Sequence, residues 1–278
     1  MQKNKLVAPV LKWVGGKRQL VEIFLELIPK NINSYCEPFL GGGALFFSLQ
    51  PKTAYVNDIN ENLMLVYNVI RDDVEKLIEE LSTFKNESEF FYSVRDWDRN
   101  PEKYNSLSEI KRAARIIYLN KTCYNGLYRV NNAGEFNSPF GSYRNPNIVN
   151  APVLRAVSKY FNSAQIFFTS TDYAEILAEI PKKTFVYLDP PYDPISSTSN
   201  FTGYSKGGFT HEDQIRLKEC CDCLTEKKIK FMLSNSKTDF ILDLYSAYNI
   251  TTVQAKRSIN SVGTGRGNVE EVVVRNYE

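Results

Sequence analysis

The sequence predicts an α/β protein built on a Rossmann-like, mainly parallel sheet with helices on both faces, and three observations predict it. Short β-rich runs alternate with amphipathic helical patterns along most of the chain. A glycine-rich turn follows the first of those runs, where open α/β sheets bind nucleotides. The alternation is interrupted once, between about residues 84 and 164, by helical patterns that give way to an aperiodic stretch rich in Gly, Asn and Tyr.

The elements follow in order. Seven strands are expected at Tyr35 to Glu37, Ala54 to Asn57, Ile166 to Thr169, Phe185 to Leu188, Lys230 to Ser234, Ile250 to Val253 and Glu271 to Arg275, each a short run of apolar and β-branched or aromatic residues. Helices are expected at Gln19 to Ile28, Ala44 to Leu49, Glu61 to Phe84, Tyr173 to Glu179, His211 to Glu226 and Asp239 to Tyr245, where apolar positions recur at helical spacing. Two more, Glu89 to Asp98 and Leu107 to Thr122, belong to the interruption. Residues 1–84 and 164–278 thus form a sheet domain and residues 85–163 a helical insertion, with a hairpin at 123–145. An aperiodic region of that size in a compact protein is usually functional.

Composition narrows the chemistry. The 278 residues are 43% hydrophobic, but no apolar run is long enough to span a bilayer and Met1-Gln2-Lys3-Asn4 opens no signal segment, so a cytoplasmic protein without a membrane partner is expected. Five cysteines (Cys36, Cys123, Cys220, Cys221 and Cys223) lack the spacing of a zinc site and are expected as free buried thiols. With His211 the only histidine, neither a histidine-centred triad nor a His-rich metal site can be assembled, and no metal is expected. Net charge is only +2, yet Lys111, Arg112, Arg115, Lys121, Arg129 and Arg144 crowd one stretch with aromatics and Asn. That composition suits phosphate and base contacts, although a solvated helix face would look the same.

Tyr35-Cys36-Glu37-Pro38-Phe39-Leu40-Gly41-Gly42-Gly43 reads as a strand, a glycine turn and the start of a helix near Ala44. Glycine permits the sharp turn and the close approach of a ligand. Sixteen residues after Gly42, at the end of the next strand, Asp58 can accept both hydroxyls of a ribose. The pair indicates an adenosine-containing ligand. Phe46 stands where a dinucleotide fingerprint requires its last glycine, which disfavours NAD.

Asp189-Pro190-Pro191-Tyr192 follows the strand Phe185 to Leu188. The prolines fix φ near −65° and remove two backbone donors, leaving the Asp189 carboxylate and the Pro190 carbonyl as acceptors for an amine bearing two N–H groups, such as that of adenine. Hydrogen bonds from such an amine draw its lone pair out of conjugation, and the carboxylate stabilises positive charge that builds on the nitrogen. Tyr192 would stack on the base. A base inside a duplex reaches such a site only by flipping out.

With these residues in place, the chain resembles the Dam-type DNA adenine-N6 methyltransferases, whose order is cofactor motif, recognition insertion, then Asp-Pro-Pro-Tyr; the resemblance spans nearly the whole chain. Leu11-Lys12-Trp13-Val14-Gly15-Gly16-Lys17 is similar to the family's opening motif, which implies that Trp13 and Lys17 line the pocket of S-adenosylmethionine. By the same resemblance Glu37 joins the cofactor site, Phe39 and Gly41 flank the methionine portion, Asp58 holds the ribose, Asp172 and Tyr173 meet the cofactor's adenine, and Asp189 serves cofactor and target. Cys123 to Asn131 and Gly134 to Tyr143 are similar to the recognition hairpin of GATC-specific members. There Arg129 suits a bidentate contact with guanine, worth roughly 1–3 kcal/mol of discrimination. Leu127 and Pro139 suit a thymine methyl, Tyr124 or Tyr143 a wedge between bases, and Asn125 the orphaned partner or a phosphate. Lys12 is implied as a further guanine contact.

Ser196 to Tyr204 and Lys206 to Phe209 match a family loop beside the target pocket and read as a lid; Ser234-Asn235-Ser236 and Asn276-Tyr277 also match. Ser258 to Asn268 reads as a mobile loop, with Arg257 and Arg266 near phosphate. The resemblance implies a seven-stranded methyltransferase sheet with a DNA-recognition insertion, acting on double-stranded DNA within GATC and releasing S-adenosylhomocysteine, alone or beside a cognate restriction endonuclease. Transfer to RNA or a glutamine side chain, whose usual motif starts with Asn, and a DNA-binding module without catalysis are the competing readings.

Overall fold

The computed structural model describes residues 3–13, 15, 17, 19–195, 208–256 and 268–278. Among these described residues the chain forms one seven-stranded sheet from β1 (Ser34–Glu37), β2 (Thr53–Asn57), β3 (Gln165–Thr169), β4 (Thr184–Leu188), β5 (Lys230–Ser236), β6 (Asn249–Lys256) and β7 (Asn268–Arg275), in the order β3-β2-β1-β4-β5-β7-β6. Every strand lies where the sequence pattern puts it. β7 runs antiparallel to both neighbours and the other adjacent pairs are parallel.

This order fixes where a ligand can bind. From β1 the chain builds outward to β2 and β3 on one side, and from β4 to β5 on the other, so the topology switches between β1 and β4. Connections leave a switch point in opposite directions and open a crevice at the strands' carboxyl ends. Cys36 is in register with Val186, so the glycine turn after β1 and the Asp189 turn after β4 emerge side by side, about 4.8 Å apart from strand to strand.

Helices cover both faces: α1 (Val21–Leu27), α2 (Ala44–Leu49), α3 (Glu61–Asp72), α4 (Val74–Ser82), α5 (Ser88–Arg95), α6 (Pro101–Asn105), α7 (Glu109–Thr122), α8 (Ala151–Ser163), α9 (Tyr173–Glu179), α10 (His211–Glu226) and α11 (Asp239–Leu244). Alternation along the strands divides the core in two. Tyr35, Val56, Phe185 and Tyr187 face α1 to α4, α7 and α8, where Phe24, Phe46, Tyr67, Leu77, Ile116 and Phe161 are buried. Cys36, Val186, Leu188 and Leu233 face α9 to α11, against Leu177, Leu217 and Ile241. Each such side chain contributes about 1.5–3 kcal/mol by leaving water.

Three expectations need correction. The single helix expected over Glu61 to Phe84 is two, because Asp73 takes a non-helical conformation (φ −136°, ψ 40°) between α3 and α4; Asp is a poor interior helix residue, since its short carboxylate competes for backbone donors. Helices α6 and α8 were not expected. Each carries a proline in its first turn, and α8 buries Leu154, Val157 and Phe161 on one face. All five cysteines are free, but Cys223 is exposed and Cys220 half-buried, while Cys36, Cys123 and Cys221 are buried.

The interrupting helices do not stand apart. α7 and α8 pack on α3 and α4, and residues of both sets share one core. Arg115, part of the basic stretch, is 2% exposed, pairs with Asp98 at 2.7 Å and donates to the carbonyls of Val94 and Arg95. Lys121 donates to the Val10 carbonyl at 2.6 Å. These two hold the fold, so the basic stretch does not present all its charge outward.

Candidate active site

The glycine turn is built around a tryptophan. Gly41 and Gly43 have φ of +48° and +64°, and a Cβ on Gly41 would lie 2.9 Å from the Trp13 ring. Only glycine fits at Gly41 on both counts. The turn is pinned from three sides. The Gly41 N–H donates to Asp58 Oδ2 at 2.8 Å, Tyr67 donates to the Gly41 carbonyl at 3.0 Å, and Asp58 Oδ1 accepts the N–H of Asn60 at 3.0 Å. Burial raises the Asp58 pKa and the two backbone donors draw it back.

Asp189 leaves β4 beside this turn. Lys17 Nζ lies 3.3 Å from Asp189 Oδ1, 2.8 Å from the Gly15 carbonyl and 4.2 Å above the Tyr192 ring. Despite that ion pair, Asp189 Oδ1 is buried without a hydrogen bond in good geometry among the described residues, a costly state for a carboxylate unless something else donates to it. Burial pushes the Asp189 pKa up to about 6; Lys17 opposes the shift and Glu271 adds to it. Glu37, 2% exposed, accepts the Tyr35 hydroxyl at 2.7 Å, and burial holds its carboxyl well above the usual range.

The rest of the motif is held mostly by residues outside the sequence motifs. The Pro191 carbonyl accepts Gln214 Nε2 at 2.9 Å, and the Asp193 N–H donates to Asn235 Oδ1 at 3.0 Å. Asp193 itself joins His211 Nε2 at 2.9 Å and the Thr238 hydroxyl at 2.6 Å. Tyr192 donates to Glu271 Oε2 at 2.8 Å. Gln214 and His211 come from α10, Asn235 from β5, Glu271 from β7, and Thr238 caps α11. The motif therefore stands on four elements, while no hydrogen bond among the described residues ends on the Pro190 carbonyl. Of these supports only Asn235 lay in a short motif singled out in the sequence.

An aromatic wall continues the crevice. Phe39 packs on Tyr173 with ring centroids 5.1 Å apart and edge-on to Phe209 at 6.2 Å. Asp172 sits next to it but is already engaged: it caps α9 through the Ala174 N–H at 2.9 Å and binds Arg216 bidentately at 2.7 and 2.9 Å. The Arg216 pairing leaves Oδ2 with one hydrogen bond and room for a further donor, a point the sequence could not convey.

The hairpin packs against the opening segment at Lys12 and Trp13. It carries only two isolated bridges, Cys123 with Phe140 and Val130 with Phe136, and turns through Asn131 to Gly134. Tyr124 and Tyr143 are 58% and 41% exposed, Pro139 is exposed, Leu127 half-buried, and Asn125 holds φ +57°. Exposed Arg129 is pre-set within the hairpin, its Nε donating to Asn137 Oδ1 at 2.7 Å. Asn120 joins hairpin and opening segment: it accepts the Lys12 N–H at 2.9 Å and donates to the Lys12 and Gly126 carbonyls at 2.8 and 3.1 Å. Trp13 stacks on Tyr128 at 4.8 Å. Residues 196–207 of the lid stretch, and Arg257 and Arg266, lie outside the described residues.

A Rossmann-like sheet whose switch point holds a glycine turn, a carboxylate turn and an aromatic wall is the framework of an α/β protein that binds its ligand in the crevice at the strands' carboxyl ends. The chain belongs to the D12 class N6 adenine-specific DNA methyltransferases, whose family model matches residues 13–259. It is 42% identical over 280 residues to the type II methyltransferase M1.LlaDCHI of Lactococcus lactis subsp. cremoris, covering 100% of this chain and 98% of that one. It is 45% identical over 291 residues to the type II methyltransferase M.MjaIII of Methanocaldococcus jannaschii (98% and 99%) and 35% identical over 278 residues to the DNA adenine methylase of Escherichia coli K12 (98% and 95%). The protein is thus an adenine-specific DNA methyltransferase, and no helix among its described residues is long and apolar enough to cross a membrane.

Proposed function

We propose that the enzyme uses S-adenosylmethionine to methylate N6 of an adenine flipped out of duplex DNA, within GATC, inside the cell. The observation that carries this reading is the buried, underbonded Asp189 oxygen beside the glycine turn, on the rim shared by β1 and β4. The residues present fit an adenosine bearing a sulfonium. Trp13, Gly41 and Phe39 offer close apolar surface, Asp58 and Glu37 carboxylates, Tyr173 a ring, and Lys17 and Asp189 the charged end, with Asp172 joining through Oδ2. When bound, the cofactor supplies an electrophilic methyl carbon on a cationic sulfur.

The chain's own groups do the rest. Asp189 and the Pro190 carbonyl each accept one N–H of the target amine, which frees the nitrogen lone pair. The carboxylate stabilises the charge that builds on nitrogen as the methyl arrives, and Asp189 Oδ1 can hold the departing proton before water takes it. Tyr192, its hydroxyl tied to Glu271, presents its ring to the flipped base. Tyr124 or Tyr143 fills the gap left in the duplex, Lys12 and Arg129 contact guanine, Leu127 and Pro139 meet the thymine methyl, and Asn125 takes the orphaned base or a phosphate.

Two relatives with type II names exceed the DNA adenine methylase in identity, which supports a protective role beside a restriction endonuclease. The test supplies radiolabelled S-adenosylmethionine with GATC duplexes, duplexes altered at one base, RNA and protein. N6-methyladenine in the GATC duplex is expected. Label in RNA or protein but not DNA, or equal label in every duplex, would reject the reading.

A further inference from the structure

Away from the active-site crevice, a cluster of charged side chains grips the return strand of the hairpin. Asp98 Oδ2 accepts the Phe136 N–H at 2.8 Å, and Arg99 Nη2 donates to the Phe136 carbonyl at 2.7 Å, so both backbone groups of one residue are held by neighbouring side chains. Behind them Arg115, 2% exposed, pairs with Asp98 at 2.7 Å. Arg99 also meets Asp98 at 3.1 Å and Glu135 at 3.0 Å, and Glu135 accepts Asn131 Nδ2 at 2.7 Å across the hairpin turn.

The gripped residue lies opposite the reading residue. Phe136 bridges to Val130, next to Arg129, and the Asn137 N–H donates to the Arg129 carbonyl at 2.9 Å. Asn137 also holds the Arg129 guanidinium. Phe136, 1% exposed, packs on Tyr128, whose ring stacks on Trp13. The hairpin has only two isolated bridges and a few cross-strand backbone hydrogen bonds, so side-chain anchors add to the hold on its register, and a slip of one residue would turn every side chain to the other face.

We infer that Asp98 and Arg99, backed by buried Arg115, are positioning residues for sequence recognition: by clamping Phe136 they fix the hairpin register that aims Arg129 at the base edge. The inference rests on the proposed reading of Arg129. Charge and hydrogen bonding suit the task because a backbone N–H and C=O held by ionised partners make stronger and more directional links than apolar packing supplies. Asp98 cannot be lost cheaply, since Arg115 would be left buried and unpaired. Arg99, half-buried and at the outer side of the cluster, can.

The experiment compares Arg99→Ala, Arg99→Lys and Arg129→Ala with the parent enzyme. It measures kcat and KM for a GATC duplex and for duplexes altered at the guanine, the Kd of S-adenosylmethionine, and the melting temperature. Arg129→Ala is expected to cut discrimination against the altered guanine by up to roughly 10²-fold. Arg99→Ala is expected to cut it by roughly tenfold through KM for DNA, with cofactor Kd and kcat on saturating DNA unchanged, and Arg99→Lys to restore part of the loss. If Arg99→Ala melts too low to assay, Glu135→Gln, which keeps Asn131 bonded and removes the charge facing Arg99, is expected to act in the same direction. Relaxed discrimination in Arg129→Ala with full discrimination in Arg99→Ala, or in its Glu135→Gln substitute, would overturn the clamp alone. Full discrimination in Arg129→Ala would overturn the reading of Arg129 and the clamp with it.

Discussion

At the scale of single residues, the role proposed for Asp189 sets two opposed demands. To act on a base in a dry site it has to be buried, and to stabilise charge on nitrogen it has to be ionised. Burial raises its pKa to about 6, so the carboxyl is protonated below that value and ionised above it. The methyl-transfer rate measured in single turnovers is therefore expected to fall as pH drops through about 6. The groups facing Asp189 are Lys17 from the opening segment, Glu271 from β7, Glu37 from β1, Tyr187 from β4 and Tyr192 from its own turn. Glu271→Gln keeps an acceptor for the Tyr192 hydroxyl but removes a negative charge that raises the Asp189 pKa. The midpoint should move to lower pH, and an unmoved or higher midpoint would rule out the coupling. Asp189→Ala is expected to lower the same rate by on the order of 10²–10³-fold or more, with the circular dichroism spectrum unchanged; wild-type turnover would refute its role. Asp189, Lys17, Asp58 and Gly41 were legible in the sequence because each lies in a local motif. Glu271, Gln214 and Asp193 were not, since their meaning depends on strands and helices that meet far apart in the chain. Glu271 reaches Tyr192 only because β7 pairs with β5.

At the scale of elements, the strands were legible to within a few residues because parallel strands buried on both faces read as continuous apolar runs: all five residues of β4 are buried. Helix ends were legible where caps are explicit. The reciprocal Thr210 and Asp213 bonds start α10 where the sequence pattern places its first residue. The break at Asp73 was hidden because apolar spacing continues through it, and α8 was hidden behind an aperiodic hairpin. The support of the catalytic turn also belongs to this scale. Asn235, fully buried on β5, accepts the Asp193 and Ser236 N–H groups and donates to Gln214 Oε1 at 3.1 Å. Asn235→Ala leaves those groups without partners, at about 1–3 kcal/mol of stability. It should also reduce kcat more than KM for DNA, because it loosens the turn and leaves the hairpin untouched. A pure loss of stability with normal kcat in the surviving fraction would contradict that division of labour.

For the molecule as a whole, the insertion and the sheet share one hydrophobic core: Phe84 contacts Trp97 and Tyr118, and Leu77 and Leu81 of α4 lie in the same cluster as Ile116 and Leu119 of α7. A shared core of this kind is expected to unfold as one unit. Denaturant titrations followed by tryptophan fluorescence, which reports on Trp13 and Trp97, and by far-ultraviolet dichroism are expected to coincide in midpoint. Two separated transitions would show that residues 85–163 fold independently. S-adenosylmethionine at 100 times its Kd should add about 2.7 kcal/mol to the stability of that unit if the unfolded chain does not bind it.

The distribution of thiols offers a practical handle. Thiolates, not thiols, attack alkylating reagents, and burial raises the pKa of Cys36, Cys220 and Cys221 and lifts that of Cys123 to about 12. Cys223 alone among the five is exposed, on the α10 helix whose first turn holds Pro191 and Asp193. A maleimide dye added to the native enzyme will therefore mark that helix first, giving a fluorescence ruler from the last turn of α10 to labelled DNA without any engineered cysteine.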